Sequence, residues 1–223
     1  MGKNHDWGTP HQTDSSKYLE TMRGIYVPAV NEPEPWRAVR WGSQELQIKR
    51  LDVLAELLLE PNALEYELEY ESKYGSVLDV GCGTGEFFRY FGTSGYHGID
   101  IVPEMIEVAA IRWGTGVRFE VHDLRDEPRP ADAVVASGLF SVSNDEIFWS
   151  MLDAMWESAR NVMAFNCKSS WAPKELEGIS VGGDIGYFRD PADTLALCRE
   201  RYSSNIVLRH DYLDHDFTLA LYK

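Results

Sequence analysis

Apolar and polar positions change rhythm several times along this chain. From Ser43, which looks like a helix cap, Leu46, Leu51, Leu54 and Leu58 recur on one helical face to about Leu59, and Pro61 stops the run. Leu64 to Glu71 then alternates strictly, a strand rhythm built from the Leu and Glu of a helix. Both readings stay open there, beside that of a solvated acidic face. From Ser76 onward, short apolar runs alternate with helical stretches. Strands are predicted at Val77 to Val80, Tyr96 to Ile101, Val117 to Leu124, Ala133 to Ala136 and Asn161 to Asn166. Helices are predicted over Glu86 to Phe91, Pro103 to Arg112 and Asp145 to Ala159, the last capped by Asn144. Asp190 caps another that starts with Pro191. Asn205 to Tyr212 and Phe217 to Tyr222 close the chain as an antiparallel hairpin. This order predicts a parallel sheet with helices on both faces, and no internal repeat is visible.

The first strand runs into Val77-Leu78-Asp79-Val80-Gly81-Cys82-Gly83-Thr84-Gly85. Alternate glycines belong where the backbone turns sharply, or where a ligand lies against main chain. Dinucleotide sites use G-x-G-x-x-G with phosphate on a helix N-terminus, whereas this loop is G-x-G-x-G with Asp79 two residues ahead. An acid at that mouth repels pyrophosphate and suits a cofactor with a cationic amino group and a sulfonium. The string resembles the first motif of the class I S-adenosylmethionine-dependent methyltransferases.

The resemblance continues in order down the chain, over about Trp41 to Lys223. It implies that Asp100, ending the second strand beside Ile101, holds the ribose hydroxyls, a role that would serve NAD equally well. It implies that Asp123 meets the adenine amino group, with Leu124 packed nearby. Ser137-Gly138-Leu139-Phe140 resembles the fourth motif, which borders the methyl group and the substrate. The cofactor contacts expected on this basis are Asp79, Gly81, Cys82, Gly83, Gly85, Asp100, Ile101, Asp123, Leu124 and Ser137. Trp41 and Ser43 join them, because the stretch before the first helix often covers the methionine end. The implied fold class is α/β: a Rossmann-like, seven-stranded, mostly parallel sheet with helices on both faces and a C-terminal antiparallel hairpin. The domain is expected over residues 41–223. Residues 1–40 are expected to fold over the site as a lid or to be partly disordered.

Composition narrows the substrate. With 36 acidic and 21 basic residues the net charge is −15, and such a surface repels phosphate backbones. Nucleic acid is therefore disfavoured and a small-molecule substrate expected. No run of 18 apolar residues and no signal-peptide core occur, so a cytoplasmic protein off the membrane is expected. Cys82, Cys167 and Cys198 are odd in number and widely spaced, which argues against disulfides.

Two segments remain for the substrate. Cys167 to Arg189 is long for a connection, glycine-rich, and carries Trp171, Tyr187 and Phe188. With Trp7, Tyr18, Tyr26 and Trp36 it either walls the substrate or simply packs the loops down. His210 to Asp216 holds two histidines and three aspartates. Strand alternation sends His210 and Asp211 to opposite faces, and Asp is ordinary in turns, so no metal is expected. His215 is the candidate general base; His97 and His122 are poorly placed. The expected function is methyl transfer from S-adenosyl-L-methionine to an oxygen or nitrogen of a small molecule by direct in-line displacement. A protein or RNA methyltransferase, or a non-catalytic cofactor-binding scaffold, is the alternative. The sequence leaves the oligomeric state open.

Overall fold

A strand that is apolar without alternation must be covered on both faces. All four residues of β1 (Val77–Val80) are buried, the charged Asp79 among them. The computed structural model describes residues 15–58, 73–91, 95–173 and 186–223. Around β1 stand β2 (Tyr96–Asp100), β3 (Arg118–Val121), β4 (Ala131–Ala136) and β5 (Ala159–Ser169), all parallel. After β6 (Phe188–Arg189) come β7 (Ile206–Arg209) and β8 (Asp216–Tyr222), which pair antiparallel, β8 also lying antiparallel against β5. The sheet order is β3-β2-β1-β4-β5-β8-β7. Sequence order reverses between β1 and β4, and such a switch point opens a crevice at the strands' carboxyl ends.

The helices are α1 (Ser15–Tyr26), α2 (Pro35–Ala38), α3 (Gln44–Leu58), α4 (Pro103–Trp113), α5 (Asp145–Ser158) and α6 (Pro191–Arg201). Alternate strand residues face opposite layers. Leu78, Val80, Val134, Met163, Phe165 and Leu219 meet Phe148, Leu152 and Met155 of α5 and Cys198 of α6. Val77, Ala133, Val135, Val162 and Ala220 meet Leu51, Leu54 and Leu58 of α3 on the other face. Caps fall where the sequence put them. Ser43 Oγ accepts from Leu46 N, Asn144 Oδ1 from Ile147 N, and Asp190 Oδ1 from Ala192 N and Asp193 N.

Differences from expectation fall at several places, the strand expected over Asn205 to Tyr212 ending at Arg209 among them. The stretch Glu86–Tyr90 is a 3₁₀ helix, whose three-residue turn stacks the buried rings of Phe87 and Tyr90 on one side, 5.6 Å apart. β5 extends three residues beyond Asn166, because β8 pairs with it as far as Lys168. The two-residue β6 then adds an eighth strand, with Lys168 opposite Phe188. Residues 15–40 contain α1 and α2, which the prolines and polar composition did not announce. Pro61 and the alternating stretch from Leu64 to Glu71 lie outside the described residues, as does Trp7. No helix among the described residues is long and apolar enough to cross a membrane.

Candidate functional site

The glycine loop leaves β1 with Gly81, Gly83 and Gly85 at φ of +68°, +54° and +81°, a region that side chains other than glycine's resist. The three glycines then diverge in purpose. A Cβ on Gly81 would press on Leu139, and one on Gly83 on Val39, both residues of the cavity wall. A Cβ on Gly85 would strike Phe119 and Trp113, so this glycine serves packing and stays off the wall.

Two carboxylates frame the loop. Asp79 is 3% exposed and accepts a 2.6 Å hydrogen bond from the Tyr96 hydroxyl. Burial pushes its carboxyl up to about 7; the charge of Asp100 adds to the rise, and the Tyr96 bond opposes it. Asp100 accepts from Gly83 N at 3.0 Å and Val102 N at 2.9 Å, so it fastens the loop to the end of β2. Burial raises its pKa too, against those backbone bonds. On the far side of the crevice Gly138 N donates to Asn166 Oδ1, and Asn166 Nδ2 donates to Ser137 Oγ. Gly138, at φ +75°, is the one residue type that lets the Trp41 ring approach.

These groups line one cavity of about 410 Å³, within the roughly 300–1,000 Å³ of small-molecule sites. Of the contacts expected from sequence, Asp79, Gly81, Cys82, Gly83, Asp100, Ile101, Leu124, Ser137 and Trp41 stand on its wall, and so does His215. Asp123 does not. Its carboxylate is taken by Arg125, from Nε at 2.9 Å, and the Arg125 guanidinium lies 4.8 Å from the Tyr18 ring. Ser43 is also off the wall, where it caps α3. Among the expected aromatics, Tyr18, Tyr26 and Phe188 line the cavity, whereas Trp171 and Tyr187 are exposed and Trp36 lies elsewhere. Helix α1 thus lays Tyr18, Met22, Ile25 and Tyr26 against the site.

At the β5–β8 end the wall becomes charged. Arg50 of α3 forms a buried ion pair with Asp216, and its guanidinium lies 4.4 Å from the Trp41 ring. His215 Nε2 is 3.4 Å from the Asp216 carboxylate. Burial outweighs that charge and lowers the His215 pKa, so the imidazole is neutral near pH 7. His210 turns away, with Nε2 at 2.7 Å from Ser169 Oγ, and Asp211 is held by Arg209. No three His, Cys, Asp or Glu side chains among the described residues converge as a metal site. The three cysteines are free, and burial raises the Cys82 thiol. Gln47, Arg50, Glu86 and Lys168 also line the cavity. Sequence reasoning missed them, although the end of β5 was a place to look for Lys168.

Comparison with known proteins agrees with this geometry. A family profile described as "Methyltransferase domain" matches residues 77–161. Rv1506c of Mycobacterium tuberculosis, a protein named as a methyltransferase, is 32% identical over 159 residues, covering 66% of this chain and 93% of its own. Magnesium protoporphyrin IX methyltransferase from Synechocystis, solved with S-adenosylmethionine, superposes with a TM-score of 0.60 at 15% identity, over 92% of this chain and 96% of that one. An O-methyltransferase of neocarzinostatin biosynthesis was solved with S-adenosylmethionine and 2-hydroxy-5-methyl naphthoic acid. It gives 0.54 at 15% identity, over 94% and 70%.

Proposed function

This chain belongs to the class I S-adenosylmethionine-dependent methyltransferases, and we propose that it methylates an oxygen or nitrogen of a small molecule bound at the His215 end of its cavity. The observation that carries the proposal is the continuity of that cavity. The same wall includes Asp79, Gly81, Gly83 and Asp100 at one end, and Trp41, Lys168, Phe188 and His215 at the other. The first group fits the cofactor. Gly81 and Gly83 offer backbone without a Cβ, Asp100 keeps lone pairs for hydroxyls, and Asp79 is an acid on the wall that suits a cationic end.

When bound, S-adenosylmethionine supplies a methyl group already activated on a sulfonium for direct in-line displacement. What remains for the chain is alignment and exclusion of water. Tyr18, Met22 and Tyr26 of α1 give the site an apolar cover. Neutral His215 accepts a proton from a hydroxyl nucleophile, and an amine nucleophile needs only to arrive unprotonated. A walled cavity under a helix, in a chain of charge −15, favours a small molecule over nucleic acid. Two structurally similar enzymes are named for a porphyrin and for a natural-product pathway, which supports the same class.

Thermal unfolding with S-adenosylhomocysteine tests the cofactor end. Ligand that binds only the folded state raises the midpoint as its concentration passes the dissociation constant. Wild type should show the rise. Asp100→Ala, which frees Gly83 N and Val102 N, should lose it. A rise of equal size in Asp100→Ala would remove Asp100 from the cofactor site.

A further inference from the structure

Three groups able to carry positive charge crowd one carboxylate at the β5–β8 end of the cavity. Arg50 is paired with Asp216 and is thereby neutralised. His215, beside the same carboxylate, is neutral at physiological pH. Lys168 is left over. It sits opposite Asp216 in the β5–β8 register and opposite Phe188 in the β5–β6 register, 7% exposed, and it lines the cavity. Its ammonium lies 5.5 Å from the Phe188 ring and makes no hydrogen bond or ion pair with any described residue. Gly186 lies so close that a Cβ there would come within 2.3 Å of Nζ, which narrows the ways the ammonium can turn.

A buried ammonium without a counter-ion is costly unless a ligand completes it. Burial, with help from Arg50, lowers the Lys168 pKa, while Asp216 works against both. The other acids among the described wall residues cannot balance it. Asp79 accepts from the Tyr96 hydroxyl, Asp100 holds the glycine loop, and Glu86 is engaged by Arg89 at 2.5 Å and Arg112 at 2.6 Å. Among the described residues, the groups around Asp216 therefore carry one positive charge in excess. Leu46, Leu51, Trp41 and Phe188 add apolar wall beside Gln47.

We propose that Lys168, braced by the Arg50–Asp216 pair, is a recognition site for the carboxylate of an acceptor substrate with an apolar body. One excess charge suits a monoanion; a phosphate dianion would leave the pocket negative. The carboxylate would take hydrogen bonds from Nζ and lie beside the apolar wall, with its neighbouring nucleophile within the same cavity as His215. The assignment deepens the methyltransferase reading and rests on it.

The test uses the full chain saturated with S-adenosylhomocysteine and three probes of one shape: 2-naphthoate, 2-naphthamide and 2-naphthyl phosphate. Binding is followed by calorimetry up to millimolar concentration. Naphthoate should bind; the amide should bind at least about tenfold more weakly, as expected for loss of one charge-assisted hydrogen bond, and so should the phosphate, whose second charge has no partner in the pocket. Lys168→Met should cut naphthoate affinity by a similar factor while keeping the midpoint rise with S-adenosylhomocysteine, which shows it folded. Lys168→Arg should keep most of the preference for naphthoate. Equal binding of the amide, tighter binding of the phosphate, unchanged naphthoate affinity in Lys168→Met, or no naphthoate binding would each overturn the assignment. If S-adenosylhomocysteine itself fails to raise the wild-type midpoint, the cofactor reading fails and takes this one with it.

Discussion

Replacing Asp79 by asparagine should make the free protein more stable and its cofactor site worse. The Asp79 carboxyl is buried in β1, where burial first, and the charge of Asp100 second, push it up to about 7. In the unfolded chain an aspartate titrates near about 3.9. The native state therefore holds a proton that the unfolded state has lost, and stability falls as pH rises from about 4 through about 7. A displacement of roughly three units amounts to about 4 kcal/mol, reached above pH 7. Asparagine escapes that cost and can still accept the Tyr96 hydroxyl. Because the sequence isoelectric point is about 4.8, urea unfolding is best followed from about pH 5.5 to about pH 8.5. Over that range the advantage of Asp79→Asn should widen by about 2 kcal/mol. The same variant should bind S-adenosylmethionine more weakly. It should also lose the wild type's fall in affinity, about tenfold per unit below pH 7. A stability gap that stays flat with pH, or an asparagine variant less stable at pH 8.5, would refute the argument from burial. Unaltered cofactor affinity would detach Asp79 from the ligand.

Two further outcomes follow from the charged end of the cavity. With any acceptor whose nucleophile is a hydroxyl, His215→Gln should lower kcat by about 10²–10⁴ at unchanged S-adenosylhomocysteine affinity, measured by steady-state kinetics and calorimetry; a retained kcat would exclude His215 as the base. Arg50→Ala takes from the buried Asp216 carboxylate its guanidinium partner and leaves only neutral His215 and the unbonded Lys168 beside it, which should cost up to about 3–5 kcal/mol in urea unfolding. The double variant Arg50→Ala, Asp216→Leu should recover much of that loss, and no recovery would mean that Arg50 matters through packing on Trp41 instead.

What the sequence determined by itself is local. The β1 strand, the glycine loop, the caps Ser43, Asn144 and Asp190, and the acid ending β2 each depend on residues a few positions apart, so a string of letters carries them. Helix α1 was not legible, because its cavity face is Tyr18, Met22, Ile25 and Tyr26 in an otherwise polar stretch, and only the cavity makes that face apolar in effect. Asp123 shows what a near neighbour adds. Its position in the chain suits a ligand contact, yet Arg125, two residues on, takes the carboxylate first. The charged end belongs wholly to tertiary structure. Arg50 and Asp216 are 166 residues apart, and Lys168 meets them only because β8 returns antiparallel beside β5. Charge balance in a buried space depends on which distant groups share it. The sequence set the cofactor loop, and the closing of the sheet decided which lysine was left without a partner among the described residues.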